Sequence, residues 1–336
     1  MLNAAVVGLG WWGRQIVTCL EHSNRVRITR GVDIDQDGPA KFAAEHGLTF
    51  TSHFEDVLKD PAIDAVFIVT PHSLHEPMVL AAADAGKQIF CEKPMALSGD
   101  GARRMLDACD KKGIVLGIGH ERRFEGAWEE MARMLRDGEL GTLLNLDFNT
   151  SYNNMALKPP SGWRQDPKEA PAGVMTALGV HVTDLMLSLA GPVTEVFARQ
   201  SSRSDDYPNQ DVLSVQFMFA NGVIGSLTAL ATTPFYQRLT VFGDRGWVEA
   251  REVSNVDIPD PATLTWRGMD MEIHSRTYAM KETVEDNIHH WADAVAGKVD
   301  FRFTREQRLQ NVLILEAIVK SSETGQPVSI ASGSRN

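Results

Sequence analysis

Long apolar runs are missing from this chain of 336 residues. A membrane-crossing helix needs about 20 consecutive apolar residues, so no membrane partner is expected. Basic excess is missing too: 33 Lys and Arg stand against 44 Asp and Glu, a formal net charge of −11. That sign disfavours nucleic acid as a partner. Cysteine is scarce, with only Cys19, Cys91 and Cys109. Their spacing builds neither a disulfide framework nor a metal-ligand set. No metal site is expected, and a reducing, cytoplasmic location fits. Leu2 to Gly10 is short and apolar, with no basic leader ahead of it, unlike a secretory signal. Repeats and low-complexity tracts are absent as well. What remains has the composition of an ordinary globular protein, long enough for two domains.

The stretch that organises the rest is Ile89-Phe90-Cys91-Glu92-Lys93-Pro94. An apolar strand runs into a charged pair and stops at a proline, which has no N–H to continue the ladder. The proline also biases Lys93 toward extended backbone. A lysine is thus held at the carboxyl end of a strand, the edge where open α/β sheets bind ligands. The bland reading is a solvated ion pair of little worth. The functional one sets Lys93 beside a nicotinamide ring, with Glu92 holding the cofactor amide side or partnering Lys93.

At the N-terminus, Ala4 to Val7 reads as a buried parallel strand. It leads into Gly8-Leu9-Gly10-Trp11-Trp12-Gly13 and a helical pattern from Arg14 to Glu21. This G-x-G-x-x-G order suits a dinucleotide pyrophosphate at a helix N-terminus. A second strand, Arg27 to Val32, ends in Asp33, about 20 residues on, where an acid accepts from ribose hydroxyls and repels a 2′-phosphate. No arginine adjoins Asp33 in sequence, which favours NAD over NADP. Further strands over 48–51, 65–69 and 114–118 alternate with helices over 38–46, 54–59, 75–85 and 99–112. The alternation predicts a doubly wound parallel sheet, an α/β Rossmann domain over residues 1–121. Thr70, Pro71 and His75 fall at the same sheet edge. Thr70 is expected near the nicotinamide ribose, whereas His75 is either a cofactor contact or a polar residue of a first helical turn.

These motifs resemble the glucose-fructose oxidoreductase and inositol dehydrogenase (Gfo/Idh/MocA) family. The resemblance rests on the glycine turn, Thr70-Pro71 with His75, Glu92-Lys93-Pro94, Gly119-His120-Glu121-Arg122 and Gly179-Val180-His181-Val182-Thr183-Asp184. It implies a nicotinamide-dependent dehydrogenase of sugars, cyclitols or related diols, with Lys93 contacting cofactor and reacting hydroxyl. His181 survives from the usual catalytic set, and it would hydrogen-bond the same oxygen. The family aspartate one turn earlier is replaced by Ala177. Glu121, Asp166 and Asp184 are the candidate substitutes.

Residues 122–336 are expected to form an α+β domain for substrate binding and oligomerisation. A helix over 128–135 leads to a strand over 142–152, then a Pro- and Gly-rich loop over 153–171 of the kind that borders sites. Trp163-Arg164 in it resembles a family pair at the substrate pocket. A helix over 173–190 carries His181. Seven short strands follow between 194 and 277, mainly antiparallel, with turn residues between them. Helices over 284–296 and 305–323 and a strand over 328–330 close the chain. Arg122 and Arg123 could bind a substrate carboxylate bidentately, although such arginines more often serve inter-domain ion pairs. Tyr236 and Arg238 could line the pocket. One face of the open sheet suits a second subunit, so a homo-oligomer, dimer or tetramer, is expected. The adjacent His289 and His290 point to different faces, against a metal site. Three functions stay open: an NAD-dependent dehydrogenase, a redox-neutral NAD-dependent lyase or hydrolase, and a non-catalytic cofactor or sugar sensor.

Overall fold

The computed structural model describes residues 1–153, 163, 166–204, 209–253, 255 and 260–331. The chain divides into two compact units: Met1–Glu121 with Glu282–Arg308, and Arg122–Lys281 with Leu309–Asn336.

In the first unit the strands are β1 (Leu2–Val7), β2 (Val26–Val32), β3 (Thr49–Thr51), β4 (Ala65–Ile68), β5 (Gln88–Cys91) and β6 (Leu116–Ile118). They form one six-stranded sheet in the order β3-β2-β1-β4-β5-β6, with every pairing parallel. The helices between them are α1 (Trp11–Cys19), α2 (Asp37–Glu45), α3 (Phe54–Lys59), α4 (His75–Asp84) and α5 (Gly99–Lys112). β1 and β4 are fully apolar where they pair, as strands covered on both faces must be. Ser98 caps α5 by accepting the Gly101 N–H at 3.1 Å, and Gly113 ends it in the left-handed region at φ +67°.

The domain boundary read from sequence needs one correction. Residues 282–308, assigned there to the second domain, belong to the first unit. Here α8 (Thr283–Val295; the helices of the second unit, α6 and α7, follow below) buries Ile288, Trp291 and Ala292 in the first unit's core. The Trp291 indole N–H donates to Val115 O at 2.8 Å, and Asn287 donates to Ile118 O at 2.9 Å. A Cβ at Gly117 would lie 2.7 Å from Trp291 Cδ1, so glycine there makes room for the indole. Burying side chains of this size contributes about 1.5–3 kcal/mol each. Helical periodicity shows that a face is buried, but not against which sheet.

The second unit is built on nine strands. They are β7 (Leu143–Ser151), β8 (Val193–Ser201), β9 (Val212–Phe219), β10 (Ile224–Leu230), β11 (Tyr236–Gly243), β12 (Trp247–Glu252), β13 (Ala262–Arg267), β14 (Ile273–Tyr278) and β15 (Val328–Ser329). Their order is β14-β13-β12-β11-β7-β10-β9-β8-β15. All pairs are antiparallel except β7 with β10. Period-two burial along β9 and β10 places one face on a core that also holds α6 (Gly126–Arg136), α7 (Val180–Ala190) and the later part of α9 (Arg305–Thr324). Thr304 and Gln307 form the expected capping box ahead of α9: each side-chain oxygen accepts the other's backbone N–H, at 3.2 and 3.3 Å. Among the described residues, no helix is long and apolar enough to cross a membrane.

Candidate active site

The carboxyl ends of β1, β4 and β5 lie side by side in the first sheet. They deliver Gly8, Thr70 and the Glu92-Lys93 pair to one edge. Strand order reverses between β1 and β4, the position where open α/β sheets take their ligands.

The glycine turn is shaped by close approaches. Gly8 sits at φ +98°, and a Cβ there would fall 2.5 Å from Val69 O. At Gly13 a Cβ would lie 1.9 Å from Gly8 O, so the first turn of α1 closes directly on the strand end. Above Gly10 a Cβ would meet nothing within 4 Å. Gly10 is also the N-cap residue of α1 and has no side chain to cap it. Open space over a helix start is what a pyrophosphate requires, and the residues present fit a dinucleotide. Trp11 is exposed and Trp12 half-buried, their rings 5.3 Å apart.

Asp33, at the end of β2, accepts the Leu9 N–H on Oδ2 at 2.7 Å and the Asp35 N–H on Oδ1 at 3.0 Å. The acid is thereby fixed against the turn. A cation that the sequence reading passed over holds the other side of Leu9. Arg14 Nε donates to Leu9 O at 2.9 Å, and its guanidinium lies over the Phe42 ring at 5.1 Å. Its place in the first turns of α1 brings it round to the residue that Asp33 holds.

His75, the first residue of α4, is completely buried. Its Nδ1 lies 2.9 Å from Pro94 O and its Nε2 lies 3.1 Å from Thr70 O. The ring therefore straps the end of β4 to the segment after β5. Thr70 and Lys93 are half-buried at that edge, and Thr70 Oγ1 donates to Met78 Sδ at 3.6 Å. Pro71 opens a short 3₁₀ turn, His72–Leu74, that leads into α4.

Glu92 is buried and its side chain folds back. Oε2 accepts the Lys93 N–H at 3.1 Å. A Cβ at Gly119 would fall 2.4 and 2.5 Å from its two carboxylate oxygens, so only glycine admits the group. Burial pushes the Glu92 carboxyl up to about 7; the nearby Glu121 carboxylate adds to the rise, and Lys93 and the Trp12 indole oppose it. Cys91 is buried beside it, and its thiol is pushed far up by the same desolvation, which suits a core residue rather than a nucleophile.

In the second unit, His181 lies on α7 and is buried. A π turn, Met175–Gly179, precedes the helix and presents Ala177 to the exterior. Of the candidate replacements for the absent carboxylate, Asp184 is engaged: Arg123 holds it through Nε and Nη2, both at 2.6 Å. Asp166 is exposed and accepts the Lys168 N–H at 2.9 Å. Arg122, read as either a substrate-carboxylate ligand or an ion-pair partner, donates inside the unit to Glu252 and Asn255, both at 2.8 Å. Tyr236 is exposed at the start of β11, 5.8 Å beneath the Arg251 guanidinium. Trp163 is half-buried, and Arg164 lies outside the described residues. Among the described residues, no three His, Cys, Asp or Glu side chains are grouped to hold a metal.

Comparison with known proteins agrees with this geometry. Residues 2–120 match an oxidoreductase family with an NAD-binding Rossmann fold, and residues 128–249 match the GFO/IDH/MocA C-terminal domain. The chain is 27% identical over 338 residues to the uncharacterized oxidoreductase YrbE of Bacillus subtilis, covering 97% of this chain and 95% of that protein. It is 26% identical over 343 residues to an NADP(+)-dependent D-xylose 1-dehydrogenase of Haloarcula marismortui, covering 97% and 92%. A levoglucosan dehydrogenase solved with NADH and levoglucosan shares the fold at a TM-score of 0.84, with 22% identity over 98% of this chain and 99% of that one.

Proposed function

Because the chain belongs to the GFO/IDH/MocA family of oxidoreductases with NAD-binding Rossmann domains, and is thus an NAD(P)-dependent dehydrogenase, we propose that it oxidises a secondary hydroxyl of a sugar, cyclitol or dihydrodiol with NAD. The observation that carries this reading is the shared sheet edge: the open turn over Gly10, with Asp33 fixed beside it, and Lys93 two strands away. Gly8, Gly10, Trp11, Trp12, Gly13 and Asp33 would hold the adenosine and pyrophosphate half. Thr70, Pro71, Glu92 and Lys93 would meet the other half, with His75 acting from below as the strap. When bound, the dinucleotide supplies the hydride acceptor.

Lys93 takes the hydroxyl proton on Nζ in this reading. His181 is assigned to the same substrate oxygen, and Trp163, Arg164 and Tyr236 to the substrate's outer groups, all on the family resemblance. Asp33 supports NAD, and Arg14 makes some use of NADP expected as well. The outward residues Met218, Ile224 and Phe242 form one exposed row across β9, β10 and β11, with Asn145 between the last two. We assign that face of the second unit to a like subunit, and light scattering showing a clean monomer would refute it. The three free cysteines suit a reducing cytoplasm.

The test is a panel of aldoses, cyclitols and dihydrodiols with NAD and NADP, read at the NADH absorbance. Reduction of NAD by at least one member is expected. Cofactor that survives dialysis, with substrate cleavage but no net reduction, would turn the assignment to a redox-neutral enzyme. Ligand binding without any turnover would turn it to a sensor.

A further inference from the structure

We propose that Asn209 and Asp211 are positioning residues of the second unit. They tie the place where the chain leaves β7 to the place where it returns ahead of α7, and so set Trp163 and the turn before His181. The consequence for a substrate rests on the dehydrogenase reading. The tie itself rests on hydrogen bonds within one unit.

Asp211, just ahead of β9, is only 1% exposed. A carboxyl group taken this far from water has to be matched by donors. Oδ1 accepts the Arg203 N–H at 2.7 Å, and Oδ2 accepts the Ser204 N–H at 3.1 Å and the Thr232 hydroxyl at 2.9 Å. The Asp211 carbonyl accepts the Ala231 N–H at 2.8 Å. Ala231 and Thr232 follow β10, and their neighbours hold the outgoing chain. The Tyr152 N–H donates to Leu230 O at 2.9 Å, and the Asn153 N–H to Thr233 O at 2.6 Å. Asp211 is thereby fixed to the sheet end from which the chain departs.

The returning chain is held two residues upstream. Asn209, 8% exposed, donates from Nδ2 to Ala170 O at 2.9 Å, while its Oδ1 accepts the Gln210 N–H at 2.9 Å. Ala170 O also accepts the Gly173 N–H at 3.1 Å, so Asn209 holds the carbonyl that closes a turn. In that turn Ala172 and Gly173 stand one after the other in the left-handed region, at φ +58° and +52°. An alanine keeps such a backbone only where its surroundings impose it. A Cβ on Gly173 would fall 2.3 Å from Gln210 O, so the corner and the Asn209-Gln210 segment fit against each other closely. Two connections run from the corner to residues assigned to the substrate. Backward, the Ala170 N–H donates to Asp166 O at 2.9 Å, and the Asp166 N–H to Trp163 O at 3.0 Å. Forward, the Met175 N–H donates to Ala172 O at 3.0 Å and the Thr176 hydroxyl to Pro171 O, which starts the π turn that ends two residues before His181.

The test starts with the ligand-free full-length protein, where no turnover is needed. Fluorotryptophan labelling gives one fluorine resonance for each of the seven tryptophans, and Trp163→Phe identifies the one from Trp163. Asn209→Asp keeps the shape of the side chain but sets an oxygen against the Ala170 carbonyl in place of a donor. Thr232→Val removes the hydroxyl donor at the other end of the tie. Both variants are expected to move the Trp163 resonance while those of Trp11 and Trp12, in the first unit, stay in place. A Trp163 resonance that stays in place in either variant overturns the tie. Circular dichroism verifies folding, and if Asn209→Asp does not fold, Thr232→Val alone decides. The second arm is kinetic, with the best substrate on the panel. Asn209→Asp is expected to raise its KM by about tenfold, the worth of about one hydrogen bond, with kcat within about threefold and NAD affinity unchanged. An unmoved KM overturns the positioning role, and so does an equal loss of NAD affinity, the mark of a general loosening. A chain that turns over nothing but shows the shifted resonance sinks the dehydrogenase reading and leaves the tie standing.

Discussion

Two buried carboxylates in this protein have opposite company. Asp184, on α7, lies in the fork of Arg123, with both oxygens held at 2.6 Å. Glu92, after β5, is buried with no guanidinium in its fork, and its carboxyl is pushed up to about 7, by burial first and then by the Glu121 charge. A carboxylate matched to a guanidinium has its charge and lone pairs satisfied, and it serves to fix a helix. A carboxyl raised chiefly by burial has a proton it can exchange near neutral pH. From sequence, Asp184 is one candidate for the absent carboxylate, whereas Glu92 is set to hold the cofactor amide side or to partner Lys93; the fork of Arg123 gives Asp184 a structural role.

Breaking the first pair should have the largest effect. Arg123→Ala leaves Asp184 buried without its guanidinium, and a loss of about 3–5 kcal/mol in urea unfolding is expected. A loss below about 1 kcal/mol would show that the pair is not the strut described.

Removing Glu92 should act with the opposite sign. Its folded pKa lies above its unfolded value of 4.5. Between about 4.5 and about 7 the folded chain therefore keeps a proton that the unfolded chain has released, and stability falls as pH rises through that window. Glu92→Gln removes this penalty. It is expected to raise stability by roughly 2–3 kcal/mol near pH 8 and by little near pH 5, read from denaturant melts at both. A gain of equal size at both values would contradict the shifted carboxyl.

Asp33 sharpens the comparison as a third case, a half-exposed acid held by backbone N–H groups. Asp33→Ala is expected to weaken NAD binding by about tenfold, the worth of one charge-assisted hydrogen bond, while sparing NADP. Arg14→Ala is expected to have the smallest effect, a few-fold loss that falls more on NADP than on NAD. Calorimetry with both dinucleotides measures the two, and equal losses for both cofactors would remove Arg14 from the ribose end.

Much of the first unit was legible. Strand–glycine–helix punctuation placed β1, α1 and Asp33, and α3 and α5 start and end where helix signals put them. The Glu92-Lys93 pair was legible because a proline after an apolar run is a local signal. What escaped depended on distant chain. His75 reads as either a cofactor contact or a polar residue of a first helical turn, and the Pro94 and Thr70 carbonyls on either side of it are not visible in sequence. Arg122 reads as either an anion ligand or an ion-pair partner, and only Glu252, far along the chain, decides for the pair. The parallel pairing of β7 with β10 is invisible in strand patterns, which fix spacing and face but not neighbours. The return of α8 to the first unit escaped for the same reason.

The central claim is that the amine at position 93 takes the substrate proton in an NAD-linked oxidation. Its most direct measurement is steady-state turnover of the best substrate on the panel by Lys93→Ala against the wild type, with NAD affinity determined in parallel. The account expects kcat to fall by about 10²- to 10⁴-fold while NAD still binds. Undiminished kcat in a variant that binds NAD normally would contradict it.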